Sequence, residues 1–216
     1  MNSIIFAHLI LILVIFYYYL SESSFDLHYF NKSLASTAVI LIGLSFALSG
    51  LCYFWDFADT KLLYRKFIGI VGFGTGLLHA YISLLFYINK MEYSGSNFDL
   101  YNKWNFYGFD VSNVYAFIFG LIALIIFAFM TGISNRYATV ELGGQRWRIF
   151  LRTGYIALFL ILLHFSIKNY TNWLLWFESG NLWPPMNLIL VIFIFLVFFL
   201  RAALEIDINR KKKKSL

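Results

Sequence analysis

Two of the four histidines in this 216-residue chain lie where an imidazole is costly to place. His79 and His164 each fall well inside an apolar run, and a polar side chain in such a run tends to face the interior of a helix bundle. Singly, either could hydrogen-bond a neighbouring helix or ligate a metal. Together they suggest more. His79 follows Lys66 by thirteen residues, and His164 follows Arg152 by twelve. At 1.5 Å per helical residue, each ring then lies roughly 18–20 Å from a basic residue at the same end of its run. Two imidazoles level with each other on two helices match the need of a six-coordinate heme, one nitrogen for each face of the iron. His8 and His28 lie near a run end and in a connection, and read as structural or solvated.

Other chemistries fit less well. Zinc favours four N, S or O ligands, and no cysteine or carboxylate matches the depth of the two histidines. The single Cys52 excludes an internal disulfide and a multi-thiolate site. The chain contains no Gly-rich phosphate loop, no Ser-His-Asp set and no HExxH. Asp56 and Asp59 read as interfacial acids balancing nearby bases.

The elements that must position these rings are apolar helices. The chain is 61% hydrophobic and 13% charged, with a mean hydropathy of +0.72. A soluble domain of this size could not cover that much apolar surface. Six runs stand out, at residues 4–20, 35–55, 67–88, 114–130, 149–167 and 186–204. Each is near the roughly 20 residues that cross about 30 Å of hydrocarbon. Backbone groups in lipid must be paired within the segment, and strand-like alternation is absent, so helices are the default. The expected fold is an all-α membrane protein: one transmembrane domain over residues 1–216, a six-helix bundle with a basic tail at 205–216. Residues 1–20 lack a basic leader and a small-x-small cleavage site, and read as the first helix rather than a signal peptide.

Arginine and lysine set the expected orientation. The second connection carries Lys61, Arg65 and Lys66, and the fourth Arg136, Arg146, Arg148 and Arg152. The tail adds Arg201, Arg210 and the run Lys211–Lys214. The odd connections hold Lys32, Lys90, Lys103 and Lys168 and no arginine. The positive-inside rule then places both termini in the cytoplasm, in a multi-pass protein of the plasma (inner) membrane. With bases confined to helix ends and tail, the net charge of +6 points to lipid and not to nucleic acid. The outer connections are rich in aromatics, among them Trp104, Trp173, Trp176 and Trp183, which suits an interfacial belt or a docking surface for a partner. Gly143-Gly144 reads as a turn between helices four and five. Gly69, Gly72, Gly74 and Gly76 precede His79 and would admit either a neighbouring helix or a flat macrocycle.

These residues carry a resemblance. Helix three reads Arg65-Lys66-Phe67-Ile68-Gly69, then nine intervening residues, then His79. Between helices four and five come Thr131, Arg136 and Leu142-Gly143-Gly144-Gln145-Arg146-Trp147, and helix five supplies Leu151-Arg152, Tyr155 and His164. Helices three to five therefore resemble the ferric-reductase-like transmembrane superfamily. The likeness is strongest to the heme-binding membrane subunit of the bacterial periplasmic methionine sulfoxide reductase system, and more distant to STEAP and NADPH oxidase membrane domains. The resemblance implies that His79 and His164 are the axial ligands of a b-type heme. Members with two stacked hemes carry a second histidine about thirteen residues away on each helix. Here those positions are Lys66 and Leu151, so one heme b is expected, in the outer half of the membrane.

No nicotinamide- or flavin-binding domain is visible, so the chain would relay single electrons from a flavoprotein or the quinol pool toward an acceptor protein on the outer side. Arg65, Lys66, Arg148 and Arg152 at the inner ends would either anchor the helices as snorkelling bases or hold a flavin or quinone. The competing reading is a non-redox polytopic protein, an assembly factor or small-solute carrier, which would purify colourless.

Overall fold

The structure is a computed structural model that describes residues 3–22, 26–56, 64–88, 92–93, 96–97, 103–106 and 109–214. Asp59, Lys61 and Lys90 fall outside that set, as does the side chain of Trp104. Seven α-helices follow one another: α1 (Ser3–Glu22), α2 (Leu27–Phe54), α3 (Arg65–Ile88), α4 (Asn113–Ile133), α5 (Arg136–Arg152), α6 (Gly154–Ser179) and α7 (Met186–Lys214). Six stretches are helical, long and apolar enough to cross a membrane, with α5 and α6 forming one of them.

Helix ends depart from the apolar runs wherever a polar residue lies within a helix. Helix α2 begins at Leu27, capped by Asp26, whose carboxylate accepts the Tyr29 N–H at 2.9 Å. It thereby takes in His28, Asn31 and Lys32, which the hydropathy pattern leaves in a connection. Helix α6 begins at Gly154, not 149, and continues to Ser179, taking in Lys168. It ends on Gly180 in the left-handed region, at φ 64°, a conformation suited to glycine. The expected basic tail is a helical extension of α7 through Lys214. There Lys211 pairs with Asp207 at 2.9 Å, and the Tyr53 hydroxyl donates to the same carboxylate at 2.6 Å.

Helix α5 is the polar one, with no buried residue. It is bent at Gly143 (φ 71°, ψ 146°), so the expected turn is a kink within the helix. Trp147 folds back to donate to the Ile133 carbonyl at 2.9 Å, satisfying an orphan acceptor at the end of α4. The third connection holds a feature absent from the sequence reading, two short antiparallel hairpins: β1 (Glu92–Tyr93) with β2 (Ser96–Asn97), and β3 (Lys103–Phe106) with β4 (Phe109–Ser112).

Helix α2 is the central element. One side packs on α3 through glycine: a Cβ at Gly72 would lie 2.9 Å from Ile42 Cγ1 and 3.1 Å from the Ile42 backbone nitrogen. Gly43 and Gly50, on another side, receive Phe193 and Leu200 of α7. Such small-residue seams suit helices that associate by close packing. One cluster joins Val14, Val39, Leu162 and Ile194 from α1, α2, α6 and α7. A second joins Ile42, Phe127, Leu158 and Val197 from α2, α4, α6 and α7. The outward faces carry exposed Leu13, Ile125 and Phe199, the surface that lipid would cover.

Candidate cofactor site

Helices α3 and α6 bring His79 and His164 to the same cavity. Helices α2 and α4 complete its walls, and about 1130 Å³ including the mouth is free of protein atoms. The lining is apolar and mixed in size: Ala35 and Ala38 from α2, Gly76 and Ala80 from α3, and Ala116, Gly120 and Ala123 from α4 stand beside bulky side chains such as Phe117, Leu124 and Phe165. Ile42, Phe73 and Phe127 close one end. The cavity lies in the half of the bundle nearer the first, third and fifth connections, since it takes the late part of α3 and the early parts of α2 and α4.

Each imidazole is held through Nδ1. The His164 Nδ1–H donates to the Ala116 carbonyl of α4 at 2.7 Å. The ring fits there because Gly120, one turn along, has no side chain: a Cβ would sit 3.0 Å from Nδ1. The His79 Nδ1–H donates to α2, toward the Asn31 carbonyl at 3.1 Å and the Asn31 side-chain oxygen at 3.0 Å. Asn31 is 1% exposed, and its amide donates to Ser83 at 2.9 Å, which orients its oxygen toward His79. Every partner of the two Nδ1 atoms is an oxygen that can only accept. The hydrogens therefore sit on Nδ1, and Nε2 keeps the lone pair on both rings.

That arrangement decides what kind of metal centre the rings could hold. Among the described residues, no group of three or more His, Cys, Asp or Glu gathers around a common point. Two nitrogen ligands suit a metal that brings its remaining ligands with it, as iron in a macrocycle does.

The glycines of α3 divide between the two roles open to them. Gly69 and Gly72 serve the α2 contact, Gly76 lines the cavity, and Gly74 meets nothing within 4 Å.

The basic residues divide as well. Arg65 and Lys66 line a second, smaller cavity of about 80 Å³, together with Ser45, Thr131 and Ser134. It shares Ile42, Phe73 and Phe127 with the first, so these three side chains form the partition. Arg148 and Arg152 lie outside it: Arg148 is exposed, and Arg152 faces Glu205 of α7 at 3.9 Å. His8 donates to its own helix at Ile4, 2.8 Å away, and the His28 ring packs edge-on against Tyr29, in keeping with structural roles. Trp183 stacks edge-on against Tyr17, and Trp176 donates to the Asn181 carbonyl at 2.8 Å.

The sequence reading gave no site role to Asn31, which holds His79, or to Lys168 and Gly120, which line the cavity. Asn31 and Lys168 lie beyond the apolar runs, and Gly120 is an ordinary glycine until the His164 ring is seen against it. No protein-family model matches the chain, and no curated protein matches it.

Proposed function

We propose that this protein is a transmembrane electron-transfer subunit that holds one b-type heme between His79 and His164. The observation that carries the reading is the shared cavity: two imidazoles on separate helices border one apolar space, each with Nδ1 committed to a neighbour and Nε2 left to bind. The residues fit the group in three respects. The donor set is two nitrogens without a third protein ligand. The walls are apolar, and glycine or alanine from α2, α3 and α4 lines part of them. The Nδ1 hydrogen bonds orient both imidazoles as outer-shell partners orient metal ligands. Bound heme would supply a one-electron ferric/ferrous couple.

The chain's own residues would then hold and insulate that couple. By the positive-inside rule, the bases of α3, α5 and α7 face the cytoplasm, and the cavity falls in the outer half of a plasma (inner) membrane. Electrons would enter from a flavoprotein or quinol on the cytoplasmic side and leave to an acceptor outside. The second cavity suits the entry side, because Arg65 and Lys66 could hold a flavin phosphate or a quinone against the Phe73–Phe127 partition. The likeness of helices three to five to ferric-reductase-like membrane domains agrees with this direction.

The test is optical. Purified protein should show a six-coordinate low-spin b-type spectrum that responds to dithionite, with one heme per chain by pyridine hemochrome. His79→Ala and His164→Ala should each abolish it. A colourless protein, or a spectrum that survives both substitutions, would leave a non-redox membrane bundle.

A further inference from the structure

The cavity is polar at one end only. Besides the two histidines, its polar lining side chains are Ser83, Asn113 and Lys168. Ser83 follows His79 by four residues, and Lys168 follows His164 by four, so each lies one turn, about 6 Å, beyond its imidazole. Helix α4 runs the other way: Gly154 packs near Met130, and His164 near Gly120. Asn113, three residues before the Ala116 that binds His164, is therefore displaced toward the same end. The opposite end is closed by Ile42, Phe73 and Phe127. Among the described residues lining the cavity, Lys168 carries the one ammonium group, and none is a carboxylate.

An amphiphilic ligand with anionic groups along one edge can enter such a cavity in one sense. Carboxylates turned toward Phe73 and Phe127 would be desolvated without a partner, which is strongly unfavourable. Turned the other way, they would meet the end lined by Lys168, whose ammonium can donate charge-assisted hydrogen bonds. Resting on the heme reading above, we propose that Lys168 pairs with a heme propionate, and that the rim it forms with Ser83 and Asn113 orients the macrocycle with both propionates toward the third and fifth connections.

The ligand itself can be altered to test this. Full-length protein freed of heme is titrated with hemin and with hemin dimethyl ester, which lacks both carboxylate charges. The wild type should bind hemin at least tenfold more tightly than the diester. Lys168→Met should weaken hemin binding by a similar factor and erase the preference, and Lys168→Arg should retain it. The ferric/ferrous midpoint of Lys168→Met should fall, because a nearby cation favours the more reduced iron. Equal binding of the two ligands by the wild type needs no variant to fold and would overturn the assignment, as would a preference that persists in Lys168→Met. Uptake of neither ligand with a six-coordinate spectrum would instead refute the heme reading, and this inference with it.

Discussion

His79 is tethered to Asn31, its Nδ1 lying 3.1 Å from the backbone carbonyl and 3.0 Å from the side-chain oxygen of that residue. A single asparagine on α2 thus sets both the tautomer and the tilt of an imidazole on α3. Its amide is in turn held by Ser83, one turn from the imidazole on α3. Asn31→Ala removes the side-chain acceptor and leaves the carbonyl. Loss of such an outer-shell partner typically costs 10–100-fold in metal affinity. Hemin affinity of Asn31→Ala should fall within that range while the low-spin spectrum survives; unchanged affinity would show that the carbonyl alone orients the ring.

On the other side, His164 depends on the absence of a side chain at Gly120. An alanine Cβ there would lie 3.0 Å from Nδ1 and 3.3 Å from Cε1, so the ring must yield by a few tenths of an ångström. Valine demands more. Overpacking of this kind costs about 1–3 kcal/mol, and each 1.4 kcal/mol is about tenfold in affinity. Heme retention should decline from wild type to Gly120→Ala to Gly120→Val, with a change in the ferric low-spin electron paramagnetic resonance signal as His164 rotates. Equal retention in all three would mean the ring has free space to move into.

The α3 glycines separate packing from flexibility. Gly72→Ala would push a methyl against the backbone of α2, 3.1 Å from the Ile42 nitrogen. It should lower stability by about 1–3 kcal/mol. Gly74→Ala meets nothing within 4 Å and should gain up to about 1 kcal/mol from helix propensity. Thermal unfolding in detergent should move the two midpoints in opposite directions.

Orientation can be read chemically. In a Cys52→Ser background, Ser179→Cys at the exposed end of α6 should react in intact cells with a membrane-impermeant maleimide. Arg210→Cys on the extended α7 should react only after permeabilisation. The reverse pattern would invert the proposed electron path.

Much of this was legible in the residues. The six apolar runs, the matched depths of His79 and His164 and the break at Gly143 all follow from local properties: transfer free energy summed along a window, rise per residue, and the φ that glycine alone adopts easily. Both rings border one cavity. The tertiary structure decided which residues serve those rings. Asn31 and Lys168 were placed in connections because a hydropathy window ends at a polar side chain, whereas a capped helix continues through it when the bundle supplies partners. Likewise only packing could separate Arg65 and Lys66, at the second cavity, from Arg152, beside Glu205, and Gly72 from Gly74. Which way a side chain turns, and what it meets, depends on contacts between segments far apart in the chain, and a sum over neighbouring residues contains no information about them.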